Sequence, residues 1–238
     1  MFQPVQPKRA FEEVAEQIKH AILAKKIKYG DRLPSERALA EQFKTGRITI
    51  REALRTLETT GFINIRKGSR GGAFIGTGDP EIIPAMIMDN FQLDGITEEQ
   101  ITEARITLEL GTVAAAIANG NEDDLGRIAR NIEETGNIRE EDEPEEIYSR
   151  MINFHILIAE ASHNLPYVLF TRALAQWSRR QGVRPPSHRE HEWWRRSHTK
   201  IYEAIEARDI PLAQRLIRED IEQTRILRVK WGQTPKSG

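Results

Sequence analysis

The chain has no cysteine among its 238 residues. That excludes a disulfide framework and any thiolate metal site. No apolar run approaches the roughly 20 residues that a membrane-crossing helix needs. The opening MFQPVQPKRAFEEVAEQI lacks the apolar core of a signal peptide. There is no Walker pattern, so no nucleotide cofactor is expected, and no nucleophile motif is present. These absences point to a cytoplasmic protein that does not span or enter a membrane. A hydrophobic content of 39% and a charged content of 30% exclude wholesale disorder. The length suffices for two domains.

The net charge of −1 hides an asymmetry. Residues 1–75 carry 15 Lys and Arg against 8 Asp and Glu, and the rest of the chain carries 20 against 28. A basic first third joined to an acidic remainder suits a polyanion-binding module fused to a domain with another task. Chance clustering is the competing reading of charge alone.

Periodicity organises the first third. Phe11, Val14, Ala15, Ile18, Ala21 and Ile22 are spaced for a helix over about Phe11–Lys25. Ser35 is placed to cap a helix running to Phe43. After Gly46 a longer helix is expected to about Thr60, stopped by Gly61 in the left-handed position. Phe62–Ile65 and Ala73–Ile75 read as strands around KGSRGG. The order α-α-α-β-β is a winged helix-turn-helix.

Beyond a linker from Gly76 to Pro84, every segment has helical period. Thr97 opens a helix with a capping-box pattern, with Glu expected in the third position. Asn121 opens the next helix, and REEDEPEE (Arg139–Glu146) reads as a solvated loop. Helices follow over about 145–162, 165–181, 190–208 and 211–231, with Pro211 expected at a first helical position. His163 reads as a cap or surface residue, and His188 and His191 as part of a polar connection. Trp177, Trp193 and Trp194 read as packing. The fold class is therefore mostly α, a winged helix-turn-helix followed by an all-α bundle. The expected domains are 1–76 for DNA binding, 77–95 as linker and first connecting helix, 96–231 as the helical domain, and 232–238 as a disordered tail.

The chemistry concentrates between Leu33 and Ile75. Arg47, Thr49 and Arg51 open the second helix of the helix-turn-helix, with Arg55 a turn later and Arg37 on the helix before. A recognition helix reads bases with its N-terminal residues, and arginine can bond guanine O6 and N7 with both arms of its fork. The wing residues Arg66, Lys67, Gly68, Ser69, Arg70, Gly71 and Gly72 combine close backbone approach with basic side chains for a sugar-phosphate wall. Leu39, Ala40, Phe43, Ile50, Leu54 and Leu57 have core spacing.

This segment resembles the GntR family of bacterial transcription regulators, whose signature is LPSER-x-LA followed by SR-x-T-V-REAL and a glycine wing. LPSERALA is intact here and TGRITIREAL matches, with Gly46 where the family has a serine or threonine that supports a phosphate contact. The resemblance implies Arg37, Arg47, Thr49, Arg51, Lys67 and Gly68 as the DNA contacts.

The second half resembles the all-helical ligand-binding (FCD-type) domain of the FadR-like subgroup, through EARITLELGTVAAAIA, NFHILIAEASHN and SHTKIYEAIEARD. There the resemblance implies that Arg105 faces a cavity and meets an organic acid, and Glu109, four residues on, could pair with it. It also implies a divalent metal, Zn, Ni or Mn, bound by an aspartate and three histidines. His155 and His198 match two of the histidines, Met151 stands where the subgroup has the aspartate and Asp220 where it has the third histidine, leaving His155, His198 and Asp220 as the candidate ligands. The expected whole is a homodimeric repressor on a pseudo-palindromic DNA operator, released by a small carboxylate effector. Two other readings of the second half stay open from the residues alone, a metal-dependent hydrolase and a purely dimerising bundle.

Overall fold

The computed structural model describes residues 9–68, 71–76, 80–93, 95–137, 143–180 and 188–232. Ser69 and Arg70 of the wing, Arg139–Asp142 of the acidic run and the tail beyond Gly232 lie outside the described residues. The chain divides into two units, Met1–Ile83 and Pro84–Gly238.

The first unit comprises α1 (Ala10–Leu23), α2 (Glu36–Gln42), α3 (Arg47–Thr59), β1 (Ile63–Arg66) and β2 (Gly72–Ile75). Its core is built by amphipathic stripes. α1 contributes Val14, Ala15 and Ile18, and α3 contributes Ile50, Ala53, Leu54 and Leu57, all buried at the three-and-four spacing of a single helix face. Ser35 Oγ accepts the Ala38 N–H at 3.2 Å and starts α2. Gly46 starts α3 without a side-chain cap. Gly61 follows the helix with φ +75°, as its position implied.

The strands pair antiparallel, Ile63 with Ile75 through Arg66 with Gly72, one residue beyond the expected span of each strand at the wing end. The preceding segment braces the hairpin. Leu33 N–H donates to the Ala73 carbonyl, Ile75 N–H to Asp31, and Gly30 N–H to Ile75, each at 2.8 Å. The Arg32 guanidinium donates to the Gly71 carbonyl. The wing is thus anchored from a chain stretch some forty residues upstream, rather than by its own short ladder alone.

The second unit is helical, and no strand occurs in it among the described residues. It comprises α4 (Ile82–Leu93), α5 (Glu98–Asn119), α6 (Glu122–Gly136), α7 (Pro144–Ala161), α8 (Leu165–Arg180), α9 (His188–Glu206) and α10 (Ile210–Gly232). α5 packs against α7, α8, α9 and α10. Val113, Ile117, Ile128, Phe154, Ile201, Ile217 and Ile221 form the main core. Met88 of α4 joins Ile101, Leu174 and Trp177 in a second cluster, so α4 packs within this unit. Trp194 is buried and its indole N–H donates to Thr224 Oγ1 at 3.0 Å, joining α9 to α10. No described helix is long and apolar enough to cross a membrane.

Three local expectations need correction. The Thr97 capping box closes through Gln100, not Glu, because Gln100 occupies the third helical position. Pro211 is the second residue of α10; Asp209 caps that helix by accepting the Leu212 N–H at 3.0 Å. His188 and His191 lie on α9 rather than in a connection. His191 Nε2 sits 2.7 Å from the Thr135 carbonyl, and that tie, with the burial of Trp194 lower on the same helix, favours helix over loop despite the charged sequence. His163 adopts φ +52° after α7 and places Nε2 2.8 Å from Asp124, itself in the cap of α6.

Gly71 has no room for a side chain. A Cβ there would lie 2.3 Å from the Arg66 carbonyl oxygen and 2.8 Å from that of Gly68. Gly71→Ala is therefore expected to cost the first unit about 1–3 kcal/mol, the scale of local backbone strain. Urea unfolding checks this, and an unchanged midpoint contradicts the tight turn.

Candidate functional site

The first unit gathers its cations at the start of α3. Arg47 is the first residue of that helix, and its side chain is 65% exposed. Arg51, one turn on, is bonded to Glu36 at the head of α2, Nε to Oε1 at 3.3 Å and a terminal nitrogen to Oε2 at 3.0 Å. Arg47 reaches the same carboxylate at 3.8 Å. The Arg51 hydrogen bonds hold the Glu36 carboxyl below its usual range. Glu36 thus gathers two arginines at one point on the surface, between the N-terminal turns of α2 and α3.

Arg37 is exposed and paired with Glu41 of its own helix at 3.1 Å. Thr49 is half-buried. Lys67 and Gly68 lie in the exposed turn of the wing, with Gly68 at φ +102°. Arg66 is committed to the wing itself, its guanidinium 4.4 Å from the centre of the Phe74 ring. Of the sequence-derived DNA contacts, the structure brings Arg47 and Arg51 together. It holds Arg37 on α2 by a separate partner.

The second unit carries a buried ionic cluster where α5, α7, α9 and α10 meet. Arg105 and Glu109, on one face of α5, pair at 3.0 Å, with side chains only 12% and 6% exposed. The other oxygen of Glu109 lies 2.6 Å from His155 Nδ1 on α7. His155 Nε2 is 3.4 Å from Asp220 Oδ2 on α10, and Asp220 Oδ1 is 3.9 Å from His198 Nε2 on α9. Ser197 Oγ donates to Asp220 at 2.6 Å. His198 stacks flat on Phe154 with ring centres 3.9 Å apart.

Burial sets the electrostatics, and neighbours decide each outcome. Burial alone pushes Glu109 up, but His155 and Arg105 outweigh it and hold the carboxyl at about 2. Burial pushes His155 down, yet Glu109 and Asp220 outweigh it and raise the imidazole to about 9. Asp220 is likewise raised by burial but brought down to about 2, chiefly by its bond to His155. His198 follows burial and falls to about 4, with the charge of His155 adding to the effect against Asp220. The cluster therefore holds two carboxylates, a protonated His155, the Arg105 cation and a neutral His198.

The ligand atoms of His155, His198 and Asp220 all lie within 4.8 Å of one another. Ligands about 2.1 Å from a tetrahedral ion are about 3.4 Å apart; the His155–Asp220 pair has that separation at 3.4 Å, and the His198–Asp220 pair is wider at 3.9 Å. His198 thus turns Nε2 towards Asp220 beyond hydrogen-bond distance. The donor set fits a divalent ion. Met151 is buried beside Ile147 and Trp194, in apolar packing. The small cavity between these groups, lined also by Met151, Tyr148, Ile152 and Thr224, measures about 20 Å³, space for about one water or one ion.

Sequence reading missed Glu36, which tethers both Arg47 and Arg51, and Ser197. It paired Glu109 with Arg105 and named His155 as a candidate ligand, but missed the contact between Glu109 and His155, which lie 46 residues apart. Only the local i,i+4 half of that network leaves a trace in the sequence.

The chain matches two family descriptions, "Bacterial regulatory proteins, gntR family" over residues 10–75 and "FCD domain" over residues 100–223. Among curated proteins it is 30% identical over 209 residues to the HTH-type transcriptional regulator YcbG of Bacillus subtilis, covering 86% of this chain and 84% of that one. It is 32% identical to an Escherichia coli protein whose name assigns it to regulation of the L-lactate dehydrogenase operon, across 68% of this chain and 62% of that protein. The HTH-type regulator LutR of B. subtilis is 31% identical across 58% of this chain and 61% of its own length. The solved structure of Streptococcus agalactiae GntR has the same fold, with a TM-score of 0.65 at 24% identity, over 91% of this chain and 99% of that one.

Glu109→Gln removes the anion shared by a buried arginine and a buried imidazolium. A loss of about 3–5 kcal/mol in unfolding free energy is expected, as for other buried pairs broken on one side. Glu41→Gln, beside exposed Arg37, should change stability by less than about 1 kcal/mol. Denaturant titration of both variants compares them, and equal small effects contradict the burial argument.

Proposed function

Since the chain belongs to the GntR family and carries an FCD domain, we propose that it is a transcriptional repressor whose hold on its operator is relieved by a small organic acid. As a member of that family it is a DNA-binding transcription regulator with an effector-binding domain, and not an enzyme. The finer reading is ours. The observation that carries it is the pair of exposed arginines, Arg47 and Arg51, gathered on Glu36 at the N-terminal turn of α3 beside a basic wing.

On this reading Arg47 and Arg51 enter the major groove and exchange Glu36 for base edges and phosphate. An exposed ion pair is worth about 1 kcal/mol or less, so DNA displaces it at little cost. Arg37 and Thr49 contact the backbone, and Lys67 with Gly68 bring the wing to the neighbouring groove. A homodimer places two such helices on a pseudo-palindromic site in the cytoplasm, each half-site read by one protomer.

In the FCD domain, His155, His198 and Asp220 would hold one divalent ion, Zn, Ni or Mn, which when bound supplies positive charge for an anionic ligand. His155 would release its Nε2 proton and present that nitrogen to the ion while Glu109 keeps its Nδ1–H, the carboxylate-behind-histidine arrangement that orients metal-bound imidazoles. Arg105 would meet the carboxylate of the effector with its free guanidinium edge. The relative linked by name to the L-lactate dehydrogenase operon supports a hydroxy-acid class of effector. A cavity of about 20 Å³ admits no such molecule until its walls part. Opening would therefore move one or more of the lining helices α5, α7, α9 and α10, and a ligand that binds only the opened form biases the protein towards it.

Arg47→Ala is expected to weaken operator binding at least about 30-fold across two half-sites, at about 1–3 kcal/mol per lost bidentate contact, with the melting temperature unchanged. A gel-shift series showing unaltered affinity sinks the recognition-helix assignment. For the effector, thermal-shift screening of hydroxy acids and sugar acids with and without added Zn or Ni is expected to yield a metal-dependent rise in melting temperature. That rise should vanish in His155→Ala; a rise that persists there excludes the site described.

A further inference from the structure

We propose that Ile48 reads DNA directly, by packing against the C5-methyl group of a thymine in the major groove. The inference rests on the reading of α3 as a recognition helix and adds a contact that its arginines do not supply.

Ile48 is the second residue of α3, between Arg47 and Thr49, and is 73% exposed, the most exposed aliphatic side chain among the described residues. The buried stripe of α3, Ile50, Ala53, Leu54 and Leu57, lies on the other side of the helix. Ile48 instead shares its face with Arg51 three residues on and Arg55 seven residues on, both exposed. Nothing in the free domain rewards an isoleucine there. A β-branched residue is a poorer helix former than lysine, glutamate or alanine, and this one buries little surface. An isolated exposed aliphatic is common on protein surfaces. One enclosed by Arg47, Arg51 and Glu52, all exposed, is too small an apolar patch to seat another protein.

The major-groove edge of DNA offers a better match. Its phosphates, guanine acceptors and thymine methyls alternate polar anchors with single apolar groups of methyl size. Arginines flanking one aliphatic chain present the complementary pattern. The arginines position the helix and favour guanine, and Ile48 then distinguishes thymine from cytosine at an adjacent step, where only thymine carries the methyl. This gives Ile48 a specificity role, with a modest share of total affinity.

The test uses the full chain and duplexes enriched by it from a random-sequence pool. Each thymine of the enriched half-site is replaced in turn by uracil, which removes only the methyl. One position per half-site is expected to lose about four-fold in affinity, the factor that corresponds to one methyl's burial. Ile48→Ala should bind the thymine and uracil duplexes equally at that position, with an unchanged melting temperature. Should Ile48→Ala bind too weakly to titrate, Ile48→Val must show a reduced thymine-to-uracil ratio. Tolerance of uracil at every position, or a ratio unchanged in the variants, overturns the proposal while leaving the recognition helix in place. Failure to enrich any sequence overturns both.

Discussion

The carboxylate of Glu109 is the constraint around which the second unit is arranged. It sits between Arg105 on its own helix and His155 on α7, and His155 leads on to Asp220 of α10 and towards His198 of α9. Four helices therefore converge on one buried charge network. Such a network contributes little net stability over an apolar core, since each ion must be stripped of water. What it does impose is mutual dependence. Each charge is tolerable only while its neighbours hold position, so α5, α7 and α10 cannot shift independently without exposing or stranding a charge. A ligand carrying its own negative charge enters that balance directly, which is how a small acid could move helices.

The two units use a carboxylate in the same way at different depths. Glu36 holds Arg47 and Arg51 at the surface, where water and salt weaken the attraction and DNA can replace it. Glu109 holds Arg105 and His155 where replacement is costly. The first arrangement prepares cations for a polyanion without locking them. The second, on the proposed reading, is disturbed only when a ligand brings charge of its own to compensate. His198 presents Nε2 towards Asp220 at 3.9 Å, while its Nδ1 is buried and unpartnered, so this ring is held less tightly by polar contacts than His155.

Much of the DNA-binding unit was legible because its signals are local. Ser35 and Gly61 mark helix ends through their own chemistry, and the stripe of Ile50, Leu54 and Leu57 names the buried face of α3. The arginine cluster was read from that same helix. Glu36 was not, because its bond to Arg51 spans 15 residues and an intervening turn. Ile48 shares its residue type with buried Ile50, so only its place off the buried stripe, and finally its exposure, separates them. In the second unit the candidate donors His155, His198 and Asp220 came from family resemblance, since no local period brings residues 155, 198 and 220 together. The span of α9 was misjudged at its charged N-terminal end, where packing of Trp194 and the His191 contact outweigh composition.

The central claim is that occupation of the buried site and grip on DNA are one linked equilibrium. Linkage requires the effect to be reciprocal. The direct measurement is the affinity of the activating carboxylate, with metal present, for the free chain and for the chain saturated with operator duplex, by titration calorimetry. The account predicts weaker carboxylate binding to the DNA-bound form, by the same factor by which the carboxylate weakens operator binding. Equal affinity for the free and DNA-bound forms would contradict it.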